Sequence, residues 1–171
     1  MLIRPYLDQD WYQVWAIIKP VFRAGETYAF SPNITEREAR HVWIEIPEIT
    51  FVAVRKDDVI VGTYYLKPNQ PTLGAHVCNC GYIVTETARG QGIASAMCEH
   101  SQREAVMRGY RAMQYNLVVS TNEDAVHLWK KLGFEIVGNL PKAFRHSRLG
   151  FVDAFVMYKQ LIKEEPNSTE V

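Results

Sequence analysis

The segment of this sequence with the clearest chemical content is Tyr82-Ile83-Val84-Thr85-Glu86-Thr87-Ala88-Arg89-Gly90-Gln91-Gly92-Ile93-Ala94. An apolar, β-branched run passes through a glycine-containing turn directly into a helical pattern. The first N–H groups of a helix lack intrahelical partners, and the helix dipole puts partial positive charge there. Gly90 and Gly92 permit close backbone approach, so the segment has the make-up of a pyrophosphate cradle. A dinucleotide fingerprint would need a third glycine where Ser95 stands, and an acidic residue about twenty positions on. A P-loop would need Gly-Lys-Ser/Thr, which is absent. The pattern that fits is Arg89-x-x-Gly92-x-Ala94.

Polar amides form a second group of candidates. Asn79 and Asn116 interrupt otherwise apolar strands, and a buried amide costs free energy unless it is hydrogen-bonded. They either pair with nearby backbone or line a site. Cys78 and Cys80 would share one face of a strand, but no second Cys/His pair completes a zinc site, so no metal is expected. His76 and His100 read as structural, and His41 and His127 as helix-surface residues.

The elements that must position these groups follow from hydrophobic periodicity. Residues 2–6 form a short strand. Trp11, Val14, Trp15 and Ile18 mark a helix that Pro20 is expected to end. Thr35-x-x-Glu38 is a capping-box pattern opening a second helix with Ala39, Val42, Trp43 and Ile46 on one face, stopped by Pro47. Residues 50–55 and 59–66 form a hairpin around Lys56-Asp57-Asp58. Residues 75–84 form another strand. Residues 92–108 form a helix with Ile93, Ala96, Met97, His100 and Met107 on one face, closed by Gly109. Residues 113–119 are a strand. Asn122 is a plausible N-cap for a helix carrying Ala125, Leu128, Trp129 and Leu132, which Gly133 ends. Strands at 134–140 and 151–159 flank a basic loop with Lys142, Arg145, His146 and Arg148. The strand–helix–strand unit from 75 to 119 requires a parallel pair with a right-handed crossover. The fold expected is one α/β (α+β) domain over residues 1–162: a mixed central sheet of about seven strands, helices on both faces, and a polar tail at 163–171.

Composition limits the classes available. The chain has 171 residues, 47% hydrophobic and 22% charged, enough for one domain with a substantial core. Nineteen basic and nineteen acidic residues cancel, which argues against nucleic acid held by bulk electrostatics. No segment approaches the ~20 apolar residues of a membrane span, and the N-terminus lacks a signal-peptide pattern. Three cysteines, Cys78, Cys80 and Cys98, do not make a disulfide framework. A reduced, cytoplasmic protein is expected.

The Arg89-x-x-Gly92-x-Ala94 segment resembles the acetyl-CoA signature of the GCN5-related N-acetyltransferases. That family's second signature is similar to Asn122-x-x-Ala125-x-x-Leu128-Trp129-x-x-Leu132-Gly133-Phe134, and the element order agrees over residues 2–160. The resemblance implies a splayed parallel strand pair that admits the pantetheine arm of acetyl-CoA. Main-chain groups of Ile83, Val84 and Thr85 would pair with that arm. The Val84 N–H would polarise the thioester carbonyl. Arg89, Gly90, Gln91, Gly92, Ile93, Ala94 and Ser95 would hold the pyrophosphate through their amides. Asn122 would reach the pantetheine or the reacting amine, and Lys130 or Lys131 could approach the nucleotide phosphates.

One departure stands out: many members carry a tyrosine that protonates the leaving thiolate, where this chain has Trp129, a donor unable to deliver a proton this way. No general base is obvious; Glu26 and Glu45 read as surface residues. Asn79, Asn116 and Asn122 together are similar to the branch that acetylates proline analogues such as azetidine-2-carboxylate, with Asn79 and Asn116 lining the acceptor site and Asn122 contacting the amine. The expected reaction is direct transfer of acetyl to a small-molecule amine in a ternary complex. An acyl-cysteine route lacks a histidine partner. The alternatives are a protein lysine or N-terminal acetyltransferase and a non-catalytic CoA-binding sensor. The loops at 21–33 and 142–148 should wall the acceptor site, with Arg23, Arg145 or His146 available for a carboxylate. Residues 151–158 are a candidate homodimer seam.

Overall fold

A computed structural model describes residues 1–162; the expected tail at 163–171 lies outside them. The elements in chain order are β1 (Leu2–Pro5), α1 (Trp11–Ala24), α2 (Glu36–Arg40), β2 (Ile49–Val54), β3 (Ile60–Pro68), β4 (Val77–Val84), α3 (Ile93–Met107), β5 (Ala112–Val119), α4 (Glu123–Lys131), β6 (Glu135–His146) and β7 (Gly150–Gln160). The strands form one seven-stranded sheet in the order β1-β2-β3-β4-β5-β7-β6. Every neighbouring pair is antiparallel except β4 and β5.

Strand alternation divides the core into two layers. Cys78, Cys80, Phe51, Val61, Tyr64 and Leu66 face α3 and α4, meeting Ile93, Met97, Cys98 and Trp129. Val52, Val54, Ile60, Tyr65 and Ile83 face α1 and α2, meeting Val14, Ile18, Phe22 and Trp43. The expected architecture, one mixed sheet with helices on both faces, is what the chain adopts.

Local departures have physical causes. Helix α1 runs through Pro20 to Ala24 and ends at Gly25, whose φ of 64° is left-handed. Pro20 and Ala16 are both exposed, so the carbonyl freed by the proline can face water, and buried Phe22 keeps the last turn in place. The capping box forms as expected: Glu38 N donates to Thr35 Oγ1 and Thr35 N donates to Glu38 Oε2. The α-helix it opens is only five residues long, and the chain widens into a π-turn at His41–Glu45. There Trp43 is tied to the sheet, its indole donating to Thr63 Oγ1 and its carbonyl accepting from Thr50 Oγ1.

The basic stretch expected as a loop is instead mostly strand, since β6 continues to His146. Asp153 on β7 accepts the Lys142 N–H at 2.9 Å across the bulge between Leu140 and Phe144, which carries the ladder past Pro141. Residues 151–158, expected as a dimer seam, lie in β7, which pairs with β6 from Gly150 to Tyr158 and with β5 from Ala154 onward, so the sheet edge on that side is β6. Met107, expected on the packed face of its helix, is 71% exposed. Among the described residues no helix is long and apolar enough to cross a membrane.

Candidate active site

The parallel pairing of β4 and β5 covers two registers only, Val77 with Ala112 and Cys78 with Met113, and then the strands part. Asn79 stands at the fork. Its Nδ2 donates to the Gln114 carbonyl at 2.9 Å, where the next ladder bond would otherwise form. Its Oδ1 accepts from the Tyr65 hydroxyl at 3.2 Å. Both polar ends of this buried side chain are satisfied, so Asn79 acts as a wedge at the root of the gap.

Beyond the wedge, alternation decides which backbone groups face the gap. Thr85 N donates to Val61 O on β3 at 2.9 Å. Thr85 and Ile83 therefore turn their main-chain groups toward β3, while Tyr82 and Val84 turn theirs toward the gap. Of Ile83, Val84 and Thr85, only Val84 presents its main chain where an inserted arm could pair with it. The Tyr82 carbonyl, on the same edge, accepts from the Tyr28 hydroxyl at 3.0 Å.

At its far end β4 leads through a short 3-10 turn, Glu86–Ala88, to the glycine loop. Gly90 and Gly92 have φ of 73° and 76°. These left-handed conformations are costly for any residue with a Cβ. The six N–H groups from Gly90 to Ser95 have no acceptor among the described residues, whereas Ala96 N already bonds Gly92 O. A run of unpaired donors at the start of a fifteen-residue helix fits an anionic pyrophosphate. Arg89 is exposed at its edge.

On the α3/α4 face the gap is floored by aromatic residues. Trp129 is 8% exposed and packs its ring 5.1 Å from Tyr82 and 5.2 Å from Tyr115. Below it the Tyr82 hydroxyl meets Ser101 Oγ at 2.6 Å and Tyr115 Oη at 3.1 Å. Burial pushes both phenols well above the usual tyrosine range, so they stay protonated. The same cause raises the Cys80 and Cys98 thiols, which leaves neither as a thiolate nucleophile at neutral pH. All three cysteines are free, and among the described residues no cluster of His, Cys, Asp or Glu is placed to hold a metal.

On the α1/α2 face lies an aromatic wall over a floor of amides. Tyr28 packs against Trp43 and Phe30, and Trp43 against Tyr65. Gly81 makes room for this wall: a Cβ there would sit 2.6 Å from Tyr65 Cε1 and 3.0 Å from Tyr28 Oη. The floor joins β5 to the bend after β3, with Gln114 Nε2 donating to Asn116 Oδ1 and Asn116 Nδ2 donating to Asn69 Oδ1. Asn116 is exposed, unlike Asn79. No carboxylate or imidazole enters this network.

Asn122 precedes α4 as expected but does not cap it. Its side chain makes no hydrogen bond among the described residues and is available to a ligand. Lys130 is exposed late in α4, as is Lys131. The 21–33 loop and the β6–β7 hairpin do meet, through Ser147 N to Gly25 O and the Arg148–Glu26 ion pair at 2.8 Å. Two of the three cations expected to await a carboxylate are committed elsewhere. Arg23 donates to the Pro32 and Ile34 carbonyls, fixing the loop. Buried His146 accepts the Arg148 and Leu149 N–H groups through Nδ1, closing the hairpin turn. Glu45 likewise pairs with His41 and Arg40 on the surface.

The sequence gives no role to Tyr28, Tyr65 or Lys67, and Gly81 enters it only within the Asn79–Val84 segment that resembles the proline-analogue branch. A glycine inside an apolar strand signals close approach of another group, and that signal at Gly81 was there to be used.

Comparison with known proteins agrees with this geometry. Residues 11–134 match the model of the acetyltransferase (GNAT) family. N-acetyltransferase aca1 of Schizosaccharomyces pombe is 26% identical in an alignment of 148 residues, covering 77% of this chain and 71% of that protein. The structure of a GCN5-related N-acetyltransferase from Kribbella flavida is 38% identical with a TM-score of 0.88, covering 93% of this chain and 96% of that one. A phosphinothricin acetyltransferase from Sinorhizobium meliloti, solved in complex with acetyl-CoA, shares the fold at 18% identity and a TM-score of 0.81, covering 93% of this chain and 87% of that one. This chain therefore belongs to the acetyltransferase (GNAT) family and is an acyltransferase that uses acetyl-CoA as its acyl donor.

Proposed function

We propose that the enzyme acetylates the amine of a small molecule, an amino acid or proline analogue, by direct attack in a ternary complex. The observation that carries this reading is the acceptor face of the gap. It is walled by Tyr28, Tyr65 and Trp43 and floored by the amides of Asn69, Gln114 and Asn116, with no carboxylate in the network. A protein lysine or N-terminus arrives as a cation and favours an acidic groove. An aromatic and amide surface without carboxylates suits a small amine that reacts in its uncharged form.

In this reading the Gly90–Ser95 amides bind the pyrophosphate, and Arg89 adds positive charge beside it. The edge of β4 pairs with the pantetheine arm. The Val84 N–H polarises the thioester carbonyl and holds the developing oxyanion in the gap. Asn122, with a free side-chain amide, reaches the pantetheine or the amine. Asn79 and Asn116 shape the acceptor side, Asn79 as the wedge and Asn116 as part of the floor. The free amine attacks the carbonyl carbon, the N–C bond forms and the C–S bond breaks. The thiolate leaves, and the proton released from nitrogen passes to water. The Trp129 indole supplies no proton to the thiolate, so the leaving group depends on solvent or nearby dipoles.

The test is free-thiol release from acetyl-CoA across a panel of amino acids, proline analogues, polyamines and peptides. Release with a small amine is expected. Release only with peptides bearing a lysine or a free N-terminus would overturn the reading.

A further inference from the structure

We infer that Lys67 recognises a carboxylate on the acceptor, so that the preferred substrate carries an anion on the carbon next to its amine. This rests on the small-acceptor reading above and names the substrate feature that the same site selects.

Lys67 lies on β3 directly opposite Asn79, the wedge residue. Its side chain turns back along the strand, with Nζ 5.4 Å from the centre of the Tyr65 ring. Tyr65 is itself paired with Gly81, and its ring lies over that glycine. The ammonium is thus one aromatic ring away from the edge of β4. Gly81 is three residues before Val84, about 10 Å along an extended strand. A small α-amino acid reaching from the carbonyl carbon at Val84, with a charge-assisted contact of about 2.8 Å at its other end, covers most of that distance, and the flexible four-carbon stem of Lys67 supplies the rest. The pyrophosphate-binding amides begin beyond Val84 in the opposite direction, so Lys67 is on the wrong side of the reacting centre to serve the donor's phosphates.

The surroundings select for negative charge. No ion pair among the described residues includes Lys67; of the cations expected to meet a carboxylate, Arg23 and His146 are engaged, while Arg145, on β6, is exposed and likewise in no ion pair. It lines an open depression with Asn69, Gln70 and Asn116. There the Asn116 and Asn69 carbonyl oxygens already accept, from Gln114 and Asn116 respectively. Each of these side-chain amides has two N–H groups, so a second N–H on Asn116 remains free to donate. An ammonium beside spare N–H donors, with the amide oxygens occupied, is a receptor for a carboxylate.

The experiment uses the full chain and the best carboxylated acceptor from the thiol-release panel, paired with its carboxamide. The wild type should favour the carboxylate at least tenfold in kcat/KM. Lys67→Met should lower that preference about 10- to 100-fold, through KM, as expected for one hydrogen bond to a charged group. Lys67→Arg should restore most of it. Melting temperature confirms that the variants are folded. Equal use of carboxylate and carboxamide by the wild type would overturn the inference, as would an equal loss on both in Lys67→Met. So would a panel in which uncharged amines or polyamines are the good acceptors, an outcome that leaves the small-acceptor reading standing. Activity on peptides alone would remove both.

Discussion

Replacing Gly92 by alanine isolates the contribution of the proposed phosphate loop, because the protein contains its own control. Gly92, at the start of α3, and Gly109, just past its end, have φ of 76° and 88°. A Cβ at either meets nothing within 4 Å. Alanine therefore imposes the same kind of strain at both ends of one helix without a clash. The left-handed conformation costs an L-residue about 1–2 kcal/mol. In a chain of this size that lowers Tm by roughly 2–8 °C. The stability losses of Gly92→Ala and Gly109→Ala should match. Ligand affinity should not. Relaxing φ at Gly92 re-aims the unpaired N–H groups on either side of it, and losing one hydrogen bond to a charged oxygen weakens binding by about 1.5–3 kcal/mol. Calorimetric titration with acetyl-CoA should show Kd rising about 10- to 100-fold for Gly92→Ala and less than twofold for Gly109→Ala. If the two variants lose acetyl-CoA affinity equally, the free amides are a consequence of helix geometry and not the pyrophosphate site.

Three further outcomes follow from the same geometry. The Asn122 side chain makes no hydrogen bond within the protein, so Asn122→Ala should change stability by less than about 0.5 kcal/mol while lowering kcat/KM at least tenfold; unchanged turnover would remove its role. Gly81→Ala brings a methyl to 2.6 Å from Tyr65 Cε1, an overpacking cost of about 1–3 kcal/mol; thermal melting should record it, and KM should rise more for the acceptor than for acetyl-CoA. Burial raises the pKa of Tyr28 and Tyr65, so neither serves as a base, and kcat/KM should climb about tenfold per pH unit up to the acceptor's own ammonium pKa. Two acceptors of different basicity should move that limb; a limb fixed near neutrality for both would reveal a base on the protein.

The proposed donor half of the site was legible in the sequence because it is local. Gly90 and Gly92 lie within one turn of the helix they open, and the strand feeding that turn is contiguous with it. Residue order alone brings the whole cradle together. Helix α1 shows the limit of local rules, since Pro20 breaks a helix only where the surrounding packing allows it, and buried Phe22 holds the helix past it until Gly25 ends it. The β6 extension has a similar origin, because Lys142 is held in the ladder by Asp153, eleven residues away on the next strand.

The acceptor half is harder to read because no single segment contains it. Tyr28 comes from a loop, Tyr65 and Lys67 from β3, Gly81 from β4, and Asn116 from β5. They share a face only because strand pairing places Tyr65 opposite Gly81 and Lys67 opposite Asn79. In isolation each gives a weak signal: a polar residue in a strand, a glycine without a turn, a tyrosine in a loop. The misplaced carboxylate partners show the consequence. Arg23 and His146 have the right charge or donors in the right loops, yet backbone carbonyls and N–H groups consume them. Lys67 looks like an ordinary strand-end lysine until its register with Asn79 puts it beside the gap. Hydrogen-bond competition, decided in three dimensions, determines which cations remain to meet a substrate, and residue type alone carries no record of it.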